Sequence, residues 1–513
     1  MPIALYKSTR FSQPNHRSRF RSIYRWRMGL AWVAVAWSLS AAVIVQAAGL
    51  TTGQLSTIVV PAGQGPGMPP RRLLVGSLAQ LRNALDTAEP GDLIEVANGV
   101  YTLSGNLTIG RSGKKARPIT VRAQNRGQAK ITGYGEVLFN RVTWVVWEGF
   151  KFTHDATQRG WPWGCVTLQD CNNVRFTRNY LDLHEDLTDL TRVHQWVCIT
   201  GKTSHDNRID HNLFHDKTLR GDYVVVTGDG RTGAAISQRD RIDHNHFLDF
   251  KYGNGQNGLE TVRVAANPSG NLLANLTIED NLFERCSGED EIISLKCGAV
   301  TVLHNTFIDC NGSMVFRNGN RGLARGNIFI NTYEDDRLPF PQYRAGGIRF
   351  YGSDHKIVEN YFYNLNGTGV DAPLNLMHGA PAGSGNLGGA DGLPSTRCEV
   401  ARNVWVSCAE LRIGYESDPR PLPPADCTFS NNLIYGNHRQ RTLLNFYQAD
   451  GVRYSDNLLW PGDRTGLESA GRVFSENEFK VLSSDPGRPY TPDRLKPDDA
   501  GPESDLVSGT RTD

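Results

Sequence analysis

The sequence lacks most of the marks by which an enzyme class is read from a chain. It has no Gly-rich phosphate loop, no Ser/His/Asp arrangement and no Cys/His spacing suited to zinc. Its nine cysteines, at 165, 171, 198, 286, 297, 310, 398, 408 and 427, are odd in number and include no CxxC pair. Cys286, Cys297 and Cys310 fall in apolar, strand-like runs and read as small buried hydrophobes rather than bridges. The net charge is only +2 over 513 residues, so no global basic field points to nucleic acid.

Charge is nevertheless uneven. Residues 1–27 carry Arg10, Arg17, Arg19, Arg21, Arg25 and Arg27 and no acid, and MGLAWVAVAWSLSAAVIVQAAGL (28–50) follows. A basic start, an apolar run and a small-residue ending at Val45-Gln46-Ala47 predict a secretory signal over 1–47. The rival reading is an uncleaved membrane anchor, since the run is about long enough to span. Either way the remainder is expected to be exported, to the periplasm or beyond, and free of the membrane once the signal is cleaved.

One phrase recurs along the chain: RFTRNYL (175–181), RIDHNLF (208–214), RIDHNHF (241–247), TIEDNLF (277–283) and TVLHNTF (301–307). It continues as LARGNIF (323–329), KIVENYF (356–362), EVARNVW (399–405), TFSNNLI (428–434) and RYSDNLL (453–459). The gaps between its asparagines run from 22 to 43 residues. Such a period signals a solenoid, because one strand-built unit cannot bury its apolar face alone. Within a unit the runs are short, Val/Ile/Phe-rich and bounded by Gly, Asn and Asp, with no helical period. A fixed Asn has a use at a corner. It tolerates the left-handed region, and its amide can bond the next Asn along the stack. The expected fold is an all-β, right-handed parallel β-helix of about ten or more turns, over residues 72–483. A propeller is the runner-up, but its blades would be more uniform. SLAQLRNALDTA (77–88), with Ser77 as N-cap, predicts an N-terminal capping helix. Residues 48–71 read as a linker, 379–395 as an excursion loop and 484–513 as a loosely packed tail. Within that tail, TPDRLKPDD (491–499) is available to close the last turn.

GEDEIISLKC (288–297) is the chemical outlier. Glu289 and Glu291, acids at i and i+2, suit Ca2+, which takes six to eight oxygens. NGLE (257–260), about one turn back, offers the Asn257 amide and the Glu260 carboxylate. The competing reading is a solvated acidic bulge paired to local arginines. Strict alternation puts Lys296 on the face opposite Glu289 and Glu291, so it joins them only through a corner or bulge. Arg317, in MVFRNGN (314–320), follows one turn later. Arg263, Arg344, Arg349, Arg412 and Tyr415 lie at strand-like positions and could line a groove for a polyanion. Trp161 and Trp163 could stack on sugars or pack a loop. His194, His211 and His244 read as structural.

QNGLE, GEDEIISLK and FRNGN, in this order and at these separations, resemble polysaccharide lyase family 6, the family of alginate lyases and chondroitinase B. GGIRFYG (346–352) resembles a further family segment. The resemblance implies that Asn257, Glu289 and Glu291 bind calcium, that Lys296 is the base, and that Arg317 is the proton donor or its helper. The family usually has His after that Arg. Here Asn318 stands there, which bears on a substrate hydrogen bond more than on the core chemistry. Glu260, Arg263, Asn318, Arg344, Arg349, Arg412 and Tyr415 are the candidate substrate contacts. The expected activity is calcium-dependent β-elimination on an acidic, 4-linked uronate polymer, with alginate favoured and dermatan-type chondroitin the alternative. An epimerase or a non-catalytic polysaccharide-binding β-helix are the readings from other classes.

Overall fold

The computed structural model describes residues 58–59, 71–155, 164–185, 193–229, 233–251, 255–334, 336–381, 392–415, 420–437 and 442–503. The signal 1–47, most of the linker, and Trp161 and Trp163 lie outside these residues. Among the described residues, no helix is long and apolar enough to cross a membrane.

Three long sheets of 15, 14 and 12 strands run the length of the solenoid, and each turn adds one strand to each sheet. Apart from the antiparallel Ile58–Val59 at the start of the 15-stranded sheet, neighbouring strands pair in parallel, as Arg208–Asp210 and Arg241–Asp243 do. The chain is a right-handed parallel β-helix. Its strands are short because each must end at a corner. Alternate side chains point to one continuous core, and Phe214, Phe247, Phe283, Phe307, Phe329, Phe362 and Trp405 stack there at centroid spacings of 4.3–5.1 Å.

The repeated asparagines form a ladder. Asn245 Nδ2 donates to Asn281 Oδ1 at 3.0 Å, and the Asn245 backbone N–H donates to the same oxygen at 2.9 Å. Asn212 makes the same pair of bonds to Asn245. The left-handed corner falls one residue earlier than expected. Arg178, His211, His244, Asp280, His304 and Glu359, each just before a ladder Asn, take φ of 52–60°. The asparagine thereby keeps its side chain directed inward, where its amide is buried and fully bonded. The preceding histidines do have structural roles. His211 and His244 bind Asp210 and Asp243 through Nδ1, and their rings stack at 4.8 Å. His194 is buried.

The capping helix spans Leu78–Asp86, with the Ser77 hydroxyl accepting from Gln80 N and with Leu81, Ala84 and Leu85 buried against the first turn. All nine cysteines are buried and free.

The tail departs from the expectation. An aromatic cluster of Phe446, Tyr454, Phe474 and Phe479 closes the last turn. Residues 485–503 instead run back along the 14-stranded sheet. Arg488 lies 4.5 Å over Tyr363, Leu495 N bonds Thr306, Gly501 N bonds the His244 carbonyl, and Arg178 bonds the Pro502 carbonyl. Leu495 and Ala500 cover the outward-facing Leu282. The driving force is apolar: the outer face of this sheet carries Ile328, Ile330 and Tyr361, which the strand pattern alone would leave wet.

Asn245→Ala leaves the Asn212 backbone N–H without its acceptor and removes one bond each from Asn212 Nδ2 and the Ile209 carbonyl. It should cost about 3 kcal/mol, or roughly 3–6 °C in the thermal melt, and an unchanged melt would refute the ladder's role. Truncation after Ser483 should leave a folded solenoid with a lower melting temperature and increased binding of an apolar dye. Equal dye binding would show that the tail covers nothing.

Candidate active site

Strand Glu291–Lys296 pairs with Gly312–Asn318, and the register slips twice. Glu291 faces Ser313 while Ile293 faces Met314, so Ile292 is one extra residue. That bulge flips the parity and puts Glu291, Ser294 and Lys296 on the outer face, with Ile293 and Leu295 in the core. The second slip makes Arg317 the extra residue opposite Leu295 and Lys296. Sequence alternation alone had set Lys296 against the acids, and the bulge supplies the condition for their meeting.

Three carboxylates converge. Oxygens of Glu260, Glu289 and Glu291 lie within 4.8 Å of one another, and among the described residues this is the one such cluster of potential metal ligands. Glu260 and Glu289 are 1% and 6% exposed. Glu289 Oε2 accepts from Gly258 N at 2.9 Å, while Glu289 Oε1 and Glu260 Oε2 are buried without a partner. Burial, reinforced by the charges of Glu260 and Glu291, pushes the Glu289 carboxyl up to about 9. Burial and the neighbouring Asp222 raise Glu260 too. Two buried acids with open lone pairs and a half-buried third fit a hard divalent cation such as calcium, which prefers oxygen donors. Glu260, expected among the substrate contacts, sits inside this cluster. Asn257 is exposed at its rim, on the same cleft.

The cations are mostly engaged. Lys296 Nζ lies 3.2 Å from Glu260 Oε1. Arg317 Nε is 3.5 Å from Glu291 Oε1, and its guanidinium stacks 5.2 Å from the Tyr351 ring. Arg349 is buried and bonds Glu291 Oε1 at 2.8 Å and the Val370 carbonyl at 3.3 Å, so it holds Glu291 from behind. Glu291 Oε2 accepts from Ser294 Oγ. Arg263 binds Asp222 at 2.7 Å.

Arg263, Ser294, Val315, Arg349, Asn375 and Arg412 stand in one register column on successive turns of the 12-stranded sheet. Arg412 pairs with Glu410 and lies 4.9 Å over Tyr415. Arg344 is outside this column, folded onto the Pro341 and Tyr343 carbonyls. Asn318 is 1% exposed and its amide oxygen accepts from Gly392 N at 3.3 Å, so it docks the end of the excursion loop.

A cleft of about 400 Å³ opens beside the carboxylates, lined by Gln195, Arg220, Asp222, Asn257, Glu260 and Lys296 among others. Sequence reasoning missed Arg220 and Asp222. Both lie in a connection between turns with no motif to single them out.

The site pairs a lysine amine with a carboxylate nest and a guanidinium, at the edge of the cleft. The family model of chondroitinase B matches residues 75–481. Among solved structures, the chain is similar to the PL6 family alginate lyase AlyGC, with TM-score 0.64 and 25% identity over 77% of this chain and 52% of that one. It thus spans about half of AlyGC. It is also similar to a mannuronic acid specific polysaccharide family 6 lyase from human gut microbiota, with TM-score 0.64 and 23% identity over 82% and 92% of the two chains. The lyase Pedsa3628 from Pseudopedobacter saltans gives TM-score 0.59 and 21% identity over 84% and 99%. No curated protein matches. With most of the solenoid inside the family model, the chain belongs to the chondroitinase B family, polysaccharide lyase family 6.

Proposed function

We propose that this protein is an exported, calcium-dependent lyase that cleaves a 4-linked uronate polymer by β-elimination. The observation that carries the reading is the convergence of Lys296 with Glu260, Glu289 and Glu291 on one face of the solenoid. Alginate is the favoured substrate, because AlyGC is an alginate lyase at 25% identity. Dermatan-type chondroitin is the second reading, favoured by the chondroitinase B model.

Glu260, Glu289 and Glu291, with Asn257 at the rim, would hold the cation. Bound there, it would neutralise the sugar carboxylate and acidify the adjacent C5–H. Lys296 Nζ takes that proton, the C4–O bond breaks, and a C4–C5 double bond forms. Lysine is a base only when neutral. Arg317 stays charged and stabilises the negative charge growing on the leaving oxygen, which water then protonates. Arg349 and Ser294 keep Glu291 aimed at the cluster.

Wild-type protein on alginate should raise the ultraviolet absorbance of the unsaturated uronate product. Lys296→Ala should lower the rate by at least about a thousandfold while still binding polymer. Dermatan sulfate run in parallel tests the second substrate, and a new double bond separates a lyase from an epimerase. No absorbance rise on any uronate polymer would overturn the reading. Calcium should raise the melting temperature of chelated protein by several degrees. Glu289→Gln, which replaces a carboxyl that burial holds protonated at neutral pH without the cation, should melt no lower than wild type in chelator and should lose the calcium shift. A full calcium shift in that variant would remove Glu289 from the cation site.

A further inference from the structure

Two cations stand beside the carboxylate cluster in the cleft, and both are committed: Lys296 to Glu260 and Arg263 to Asp222. Arg220 lines the same cleft, is exposed, and makes no ion pair among the described residues. Its nearest acid in sequence, Asp222, is already taken.

Arg220 is held on a rigid support. The buried Glu185 carboxylate accepts from Thr218 N and Leu219 N, both at 2.7 Å, and from Lys217 Nζ at 2.8 Å. Lys217 is fully buried, and its ammonium also bonds the His194 carbonyl at 2.8 Å. A buried ion pair is weak evidence for stability. What this pair fixes is the backbone of 217–219, directly before Arg220. On the other side, Gly221 N bonds the Gly258 carbonyl at 2.7 Å. A Cβ on Gly258 would stand 3.0 Å from Arg220 Nε, so the guanidinium lies against the peptide whose N–H donates to Glu289.

The turn of Arg220 lies two strands before that of Lys296, in the order Val224–Val226, Val262–Val264, Glu291–Lys296. Its guanidinium, resting against Gly258 at the entry to Val262–Val264, therefore stands about one strand spacing, about 5 Å, along the axis from the turn of Lys296. A cation so displaced meets a neighbouring sugar, not the one losing its C5 proton. Val193, 44% exposed, and Gln195 sit on the same wall and offer an apolar contact and an amide to that sugar.

We propose that Arg220 is a substrate-binding residue that takes the anionic group of the sugar next to the one cleaved, a carboxylate in a polyuronate or a sulfate in a sulfated glycosaminoglycan. This rests on the reading of the cleft as a lyase site. Sequence methods overlook it because nothing local to Arg220 marks it. Its selection comes from the pairing of every other cation nearby.

The test is calorimetric binding in calcium buffer, comparing Lys296→Ala with Lys296→Ala/Arg220→Gln. The probes are a hexameric polyuronate, a dermatan sulfate hexasaccharide and a neutral hexasaccharide. Arg220→Gln should weaken a charged probe about tenfold and leave the neutral one unmoved. Arg220→Lys, which keeps the charge and loses the fork, should recover part of the loss. Loss on the polyuronate assigns a carboxylate, and loss on the dermatan probe alone assigns a sulfate. An unchanged Kd for both charged probes, or no binding of either by Lys296→Ala protein, overturns the proposal. Because the readout is binding, it stands apart from the absorbance assay: a protein that binds through Arg220 but yields no unsaturated product would sink the lyase reading alone.

Discussion

The hydrogen bond from one buried asparagine to the next sets the geometry on which everything else in this molecule depends. Each ladder Oδ1 accepts two bonds from the turn before, and each Nδ2 also reaches a backbone carbonyl, as Asn281 does to Ile242 and Glu279. A buried amide is costly unless bonded, so each member needs its neighbours in place. The ladder fixes the relative height of successive turns at one corner. Variation in turn length, from 22 to 43 residues between asparagines, must then be absorbed elsewhere. It is absorbed in connections such as 217–222 and 255–261, and both supply cleft residues.

Upon that fixed register, single-residue slips do the chemistry's positioning. Without the extra Ile292, Lys296 would point into the core or Glu291 would. With it, residues from three turns share one face. The resulting carboxylates repel one another, and the fold tolerates them only with Lys296, Arg317 and Arg349 held close by. Arg349 is a buried brace, while Lys296 and Arg317 retain 16% and 20% side-chain exposure and can meet a substrate. Three cations around one carboxylate cluster thus differ in depth, one buried and two reaching the surface.

Much of this was legible in the residues. The Asn repeat gave the solenoid, Ser77 and the apolar spacing gave the cap, and GEDEIISLKC gave the acids and the lysine. What stayed hidden shares a physical character. A bulge adds one residue to a strand without altering its composition, so the shared face of Glu291 and Lys296 could only be posed as a condition. The left-handed corner sits before the Asn because the amide must face inward, a fact about its partners and not its own propensity. Asn318 is buried because the chain returns over it at Gly392, a long-range contact that its own strand does not announce. The tail's course depends on apolar residues facing outward on a distant sheet, and nothing in TPDRLKPDD names them.

The same limit governs the cleft's charges. The closest ion pairs around the carboxylates run between turns, as Lys296–Glu260, Arg263–Asp222 and Arg349–Glu291 do. Whether a given arginine is structural or available is therefore a property of the register. Arg263, Arg349 and Arg412 were reasonable candidates by position, yet each meets an acid on its own or an adjacent part of the sheet. Arg220 lies two residues from Asp222 and would have been paired with it on sequence grounds. The register gives Asp222 to Arg263 one turn on, and Arg220 is left on the cleft wall with its charge unpaired among the described residues.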